Sequence, residues 1–147
     1  HEELSSLIGI YEYFDNLFNH HFPNKEISLR KKIKEINKLI SRHEEKIGNL
    51  LLQYLNSRND IKLIGKNIIE NKNRAPTFAF TSKNYSSKIF SHKLVEKGIA
   101  TRNDNFYAWR CLKALGIDID DGVIRTSMVH YNSEEDVSKL ISALKKI

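Results

Sequence analysis

The sequence predicts an α+β fold, in which a long linking helix leads into a small, mostly antiparallel sheet with helices packed on one face. Two observations support this prediction. Apolar residues up to position 55 recur at helical steps of three and four, whereas short β-branched and aromatic runs alternate with helical patterns after position 60. The 147 residues are 40% hydrophobic and 29% charged, which is typical of one compact domain rather than a disordered chain.

The N-terminal part of the chain predicts two helices. The first covers residues 1–20 and has a wide apolar face, and it ends near Pro23 because the residue before a proline avoids the helical region. The second runs from Leu29 to Leu55, with Ser28 as its N-cap. Its length of about 40 Å is large for so small a chain, so we expect it to connect domains.

The C-terminal part predicts four short strands, where β-branched and aromatic residues concentrate. Their ranges are 61–65, 77–81, 99–102 and 123–131.

Three shorter helices are predicted in the same part of the chain. One begins with Ser86 or Ser87 as its cap and ends at Gly98, a favourable residue just beyond a helix end. Another covers residues 106–115. The last follows Ser133, whose spacing to Asp136 resembles a capping box.

The net charge of +6 has to be located before it is interpreted. Residues 1–24 carry four acids and no Lys or Arg, and the positive excess lies mostly between residues 25 and 74. Most of those bases lie on the second helix, opposite its apolar stripe, which is typical of a solvated face. Nucleic acid is therefore not the expected partner. A basic nucleic-acid-binding or interaction module without catalysis is the alternative.

The cysteine and histidine content argues against two kinds of site. The single cysteine, Cys111, cannot form an internal disulfide or a paired-cysteine zinc site, and the six histidines do not stand at metal-ligand spacings. We therefore expect no metal and a reducing, cytoplasmic location. Cys111 itself is expected to pack in the core as a small apolar residue. No apolar run reaches the roughly 20 residues of a membrane span, so no membrane partner is expected.

Arg125 stands out because it lies inside an apolar, β-branched strand, where a charged side chain must be paired or lie at a rim. Arginine can bind a carboxylate through two parallel hydrogen bonds. A structural pair with an acid of the turn that follows Gly116 and substrate binding are equally supported. The acids of that turn are Asp118, Asp120 and Asp121.

A polar and aromatic cluster, RNDNFYAW, covers residues 102–109 at a junction between a strand and a helix. Site residues often collect at such junctions. A turn with asparagine capping is the slightly favoured alternative.

The segment VIRTSMVHYNSEEDVSKLISALKKI, from Val123 to the end, resembles the closing segment of class V aminotransferases and cysteine desulfurase-like pyridoxal-phosphate enzymes. In that family an arginine-bearing strand leads into a Tyr-Asn-Thr motif, two acids and a last helix. Here Arg125 precedes Tyr131 and Asn132, and Ser133 replaces the commoner threonine. Further segments are similar to the family in the same order. They are HEELSSLIGIYEYF, RHEEKIGNLLLQYL, NRAPTFAF and LVEKGIATR.

The resemblance implies that the chain is the C-terminal part of a fold-type I enzyme that binds pyridoxal 5'-phosphate, acts on a small amino acid and forms a homodimer. Residues 1–27 would end the large cofactor domain, and residues 28–147 would form the linking helix and the C-terminal small domain. The lysine that bonds the cofactor would precede residue 1, so no catalytic residue is assigned and this fragment alone is expected to be inactive. The family's substrate-carboxylate arginine falls on Arg125.

The resemblance also bears on the type of reaction. Related cysteine desulfurases carry a reactive cysteine shortly after a Gly-Ile pair. Counting from Gly98 and Ile99, that position falls on Tyr107, and Cys111 lies four residues later. This departure argues against persulfide chemistry by that route and leaves transferase and lyase chemistry open, with Asn105 and Tyr107 as candidate site-lining residues.

Overall fold

The computed structural model describes residues 2–70 and 73–147, with side chains from residue 6 onward. The described residues fall into two compact units, one up to His43 and one from Glu44 to Ile147. None of the described helices is long and apolar enough to cross a membrane. The elements in chain order are α1 (Glu2–His21), α2 (Leu29–Ser57), β1 (Ile61–Ile64), β2 (Thr77–Ser82), α3 (Ser87–Val95), β3 (Arg102–Asp104), α4 (Trp109–Ala114), β4 (Val123–Ser127) and α5 (Glu134–Leu144).

The unit up to His43 contains α1 and the first half of α2. Phe18 and Ile36 are buried in it, and Lys32 forms an ion pair with Asp15 while its ammonium lies 5.3 Å from the centroid of the Phe18 ring. The hydrogen bond from Lys32 lowers the pKa of Asp15. The apolar face predicted for α1 is largely exposed. Its exposed members include Leu7, Ile8 and Tyr11, and Ile10 and Tyr13, which lie outside that face, are exposed as well.

The unit from Glu44 onward is built on a four-stranded antiparallel sheet in the order β1-β2-β4-β3. Phe80 of β2 lies opposite Leu63 of β1 and Ile124 of β4, which aligns apolar side chains on one face. Helices α2, α3 and α5 pack on this face, and the predicted fold class is confirmed. Their buried contributions include Leu51, Leu52, Phe90, Leu94, Val137 and Leu144.

The other face of the sheet carries a different set of side chains, because successive strand residues point to opposite faces. Arg125 of β4 lies opposite Ala79 of β2 on one side and Arg102 of β3 on the other. Arg102 and Arg125 are therefore neighbours on the face that points away from the main core.

The predicted caps of two helices are confirmed. Ser86 caps α3, and its hydroxyl accepts a hydrogen bond from the backbone N–H of Ile89. Ser133 and Asp136 form a capping box at the start of α5, with N···O distances of 3.1 and 2.9 Å. The hydrogen bond from the Ser133 backbone lowers the pKa of Asp136. These short-range signals fix where the two helices begin.

The predicted strand 99–102 is wrong at its start, because β3 begins only at Arg102. Gly98 adopts φ of +74°, and the N–H of Ile99 donates to the carbonyl of Leu94 at 3.0 Å. Both residues therefore form the turn that closes α3, since a left-handed glycine followed by such a bond is a common way to end a helix.

The predicted strand 123–131 is wrong at its end, because β4 stops at Ser127. The side-chain oxygen of Asn132 accepts a hydrogen bond from the N–H of Val129 at 2.9 Å, and this bond turns the chain before α5. The apolar residues of this segment continue beyond the last residue of β4 that pairs with a neighbouring strand, which is why the prediction is too long.

Candidate functional site

Arg125 lies at the middle of β4, on the sheet face that points away from the main core. It is half-buried, whereas its neighbour Arg102 is exposed. Ala79, its partner on the other side, has a side chain too short to cover it. Two arginines at paired positions thus bring two positive charges to this face of the sheet.

The guanidinium of Arg125 is stacked on an aromatic ring. Its Cζ lies 4.0 Å from the centroid of the Phe106 ring, a distance at which a cation is attracted to the ring face. Among the described residues, Arg125 forms no ion pair with an acid. In the acidic turn 118–121, Asp121 accepts instead from the backbone N–H of Ser87 at 2.7 Å. The structural alternative for Arg125, a pair with this turn, is therefore wrong.

The Phe106 ring is carried by a short loop between β3 and α4. Phe106 and Tyr107 have φ values of 51° and 58°, in the left-handed region that bulky residues rarely adopt. Asn105 stabilises this conformation through two hydrogen bonds. Its side-chain oxygen accepts from the N–H of Tyr107 at 3.0 Å, and its carbonyl accepts from the N–H of Ala108 at 2.9 Å. These two hydrogen bonds fix the backbone of the loop that carries the Phe106 ring.

The predicted helix 106–115 is wrong at its start, because the two left-handed residues delay α4 until Trp109. The prediction that Cys111 packs in the core is also wrong, since Cys111 is exposed. The helix is only six residues long and buries a single side chain, that of Leu112. A helix this short leaves its other positions in solvent.

The two candidate site-lining residues have different surroundings. Tyr107 is 95% exposed, so its side chain lies almost entirely in solvent. The side-chain amide of Asn105 is bound on both atoms, because its oxygen accepts from Tyr107 and its nitrogen donates to the carbonyl of Ile119 in the acidic turn at 3.5 Å. The residue that contacts Arg125 is therefore Phe106, which lies between the two predicted residues Asn105 and Tyr107.

A glycine lies where the acidic turn meets the end of β3, at the start of the same loop; we call this meeting point the corner. Gly122 has φ of +69°, and a Cβ atom there would lie 2.3 Å from the carbonyl carbon and oxygen of Asp104. No real side chain fits at that distance, so the acidic turn can approach the end of β3 only through a glycine. Ser87 reinforces the corner: its hydroxyl donates to the carbonyl of Asp121 and accepts from the side chain of Asn103.

Two residues of this corner were not among the predicted site residues, namely Phe106 and Arg102. Both lie inside the 102–109 cluster, so the polar and aromatic composition of that cluster indicates the region in which they are found. The contact with Arg125 depends on the register of β3 against β4, which the cluster alone does not contain.

Arg74, the arginine of the NRAPTFAF segment, is also stacked on a ring, with its Cζ 4.8 Å from the centroid of Phe78. Its donors, however, bind the carbonyls of Lys66 and Thr77. Burial lowers the pKa of this guanidinium. Arg74 is therefore bound to the protein's own backbone.

The arrangement at Arg125 suits a planar anion. A guanidinium whose face lies on a ring still has N–H donors along its edge, and these match the two oxygens of a carboxylate. The described ranges contain no group of three or more His, Cys, Asp or Glu residues that could hold a metal ion.

Fold and site together define an α+β domain that holds an arginine against an aromatic ring, on the sheet face that points away from the main core. The sequence places this domain in a family: the pattern described as "Aminotransferase class-V" matches residues 27–140, and the chain belongs to that family. Class V aminotransferases and cysteine desulfurases are pyridoxal-phosphate enzymes.

Among curated proteins, the chain is 34% identical over 110 residues to the aminotransferase-like protein FGM3 of Gibberella zeae, covering 74% of this chain and 27% of that protein. It is 31% identical over 108 residues to a probable cysteine desulfurase of Pseudomonas putida, covering 71% and 24%. The chain thus spans about a quarter of the length of these relatives.

Solved structures show the same fold. The cysteine desulfurase CsdA from Escherichia coli aligns with a TM-score of 0.60 at 23% identity, over 72% of this chain and 24% of that one. A cysteine desulfurase from Thermococcus onnurineus NA1 aligns with a TM-score of 0.64 at 24% identity, over 80% and 29%.

Proposed function

We propose that this chain is the C-terminal domain of a pyridoxal-phosphate-dependent enzyme that acts on a small amino acid, and that Arg125 binds the substrate carboxylate. The observation that supports this most is the state of Arg125, which is half-buried and stacked on Phe106 without an acidic partner among the described residues. Partial burial of a cation is unfavourable unless an anion accompanies it. A substrate carboxylate would supply that anion.

Arg102 strengthens the proposal through its charge. It is the direct cross-strand partner of Arg125, and like charges at such positions repel each other. An anion bound at Arg125 would relieve this repulsion. The pair therefore favours binding of a negatively charged group more than either arginine does alone.

The donors around Arg125 fit the substrate better than the cofactor. Pyridoxal phosphate needs a lysine amine for its aldehyde and several donors for its phosphate, whereas the sheet neighbours of Arg125 are Ala79 and Arg102. We therefore assign the cofactor contacts to a large domain that precedes these residues. When bound, the cofactor supplies an electron sink for breaking bonds beside the amino group. The role of this chain would be to bind and orient the substrate.

The same proposal covers the partners. The exposed apolar face of α1 would be covered by the large cofactor domain, of which residues 1–27 would form the end. The intact protein would be a cytoplasmic homodimer, and the 147-residue chain alone would be inactive. The large domain and the substrate amino acid are the partners that this chemistry requires.

For the reaction type, we propose transferase or lyase chemistry rather than persulfide formation by the route of the related desulfurases. Tyr107 stands where the resemblance places their cysteine. Cys111 lies four residues after that position and is exposed on α4.

The test is to express the protein encoded with its upstream reading frame and to measure cofactor absorbance, conversion of small amino acids and release of sulfide from cysteine. The matched control is the 147-residue chain alone. We expect the long form to carry pyridoxal phosphate and to convert an amino acid, and the short form to do neither.

The alternative function has its own readout in the same experiment. A basic nucleic-acid-binding module would bind DNA or RNA at physiological salt, with an affinity that falls steeply as salt rises. A long form that lacks the cofactor and shows such binding would overturn the proposal. Several basic side chains of α2 already have acidic partners, including Lys38 with Glu35 and Lys46 with Glu134.

A further inference from the structure

We infer that Phe106 is a positioning residue, which holds the guanidinium of Arg125 in the orientation that binds a carboxylate. This inference rests on the proposed function of Arg125. The ring contact of 4.0 Å is the interaction found for this guanidinium among the described residues, so we infer that it sets where the donor edge points.

The reason lies in the shape of the contact. An arginine side chain has four rotatable bonds and loses much rotamer freedom when it binds a ligand. A ring against one face of the guanidinium removes part of that freedom before the ligand arrives, while the N–H groups along the edge stay available. A ligand then binds more tightly because less ordering remains to be done.

The loop geometry supports a dedicated role for the ring. Both Phe106 and Tyr107 occupy the left-handed region, which is unfavourable for aromatic residues. An asparagine would adopt φ of 51° more readily at position 106. The chain nevertheless carries phenylalanine there, and hydrogen bonds from Tyr107 and Ala108 to Asn105 hold the strained segment in place. The ring–guanidinium contact accounts for that choice of residue.

This backbone preference permits a test that separates binding from folding. In Phe106→Asn the ring is removed, but the new residue tolerates the left-handed backbone, so thermal stability should stay the same or rise. In Phe106→Tyr the ring is kept. We expect the dissociation constant of the substrate amino acid, measured by calorimetry on the intact enzyme, to rise about 3- to 30-fold in Phe106→Asn. The value for Phe106→Tyr should stay within about twofold of the wild type.

The same measurements distinguish the failure of this inference from that of the proposed function. If Arg125→Lys weakens binding and Phe106→Asn does not, Arg125 binds the substrate without help from the ring, and the inference is wrong. If Arg125→Lys leaves binding unchanged, the proposed function fails. In the double variant, the loss should be smaller than the product of the two single losses, because the ring acts through the arginine.

A purely structural role for Phe106 predicts a different pattern. Stability would then fall in Phe106→Asn, and the affinity of the molecules that remain folded would not change. That outcome would overturn the inference as well.

Discussion

Two arginines in the unit from Glu44 onward are held in opposite ways. Arg58, beside the start of β1, donates to both carboxylate oxygens of Asp60 at 2.7 and 2.6 Å and to the carbonyl of Leu144 at 2.9 Å. Arg125, on β4, contacts the ring of Phe106 and has no acidic partner among the described residues. Both guanidinium groups are partly buried, so burial alone does not distinguish them.

The difference separates an arginine that is bound within the protein from one that we propose binds a ligand. The donors of Arg58 are used up inside the protein, where they tie the end of α2 to β1 and to the end of α5. Among the described residues Arg125 has no acidic partner, and we propose a substrate carboxylate as the group that its donors bind. The comparison makes opposite predictions for stability and for ligand affinity, and each can be tested by substitution.

The largest expected effect concerns Gly122, where the acidic turn meets the end of β3. In Gly122→Ala, the new Cβ atom would overlap the carbonyl of Asp104 in a left-handed backbone, so we expect a loss of about 2 to 5 kcal/mol in the free energy of unfolding. Denaturant unfolding measures it.

Gly116→Ala is the matched control for this substitution. Gly116 has a similar φ of +68° and no atom within 4 Å of its Cβ position, so only the backbone penalty of about 1 to 2 kcal/mol applies. Equal losses in the two variants would show that the close approach to Asp104 contributes nothing.

A smaller loss is expected when the structural arginine is changed. Arg58→Lys keeps the charge but loses the two-donor contact with Asp60, together with the bonds to Tyr54 and Leu144. We expect the free energy of unfolding to fall by about 1 to 3 kcal/mol, with no change in amino-acid affinity. Unchanged stability would mean that Arg58 and Arg125 do not differ in the way described.

The smallest effect concerns acid stability. The hydrogen bond from Arg58 lowers the pKa of Asp60, so the carboxylate contributes stability above the ordinary aspartate pKa, and this contribution is lost as pH falls through the lowered value. Melting temperatures between pH 7 and pH 2 should therefore fall less in Asp60→Asn than in the wild type. Arg125→Lys should follow the wild-type profile, because Arg125 pairs with no described acid. A profile altered in Arg125→Lys would point to an acidic partner.

Much of the fold follows from short-range signals in the sequence. The apolar repeat of α2 and the Ser133–Asp136 capping box place two helices correctly because both depend on residues within a few turns of each other. The predicted start of β3 and the predicted end of β4 are wrong for the opposite reason. Those ends depend on hydrogen bonds such as that between Val129 and Asn132, which compete with the strand pattern.

The candidate site could be predicted only in part. Arg125 is visible in the sequence because a charged residue inside an apolar strand needs an explanation. Its stacking on Phe106 is not, since it requires the β3–β4 register and two left-handed residues in succession. The exposure of Cys111 was missed because an apolar pattern does not reveal how short α4 is.

The most direct test of the central claim compares Arg125→Lys with Arg58→Lys in the intact enzyme, measuring the dissociation constant of the substrate amino acid and thermal unfolding on the same samples. Losing a charge-assisted hydrogen bond at Arg125 should weaken binding about 10- to 150-fold and change the free energy of unfolding by no more than about 1 kcal/mol, the size of the lost ring contact. Arg58→Lys should show the reverse. An unchanged dissociation constant in Arg125→Lys would contradict the assignment of Arg125 to the substrate carboxylate.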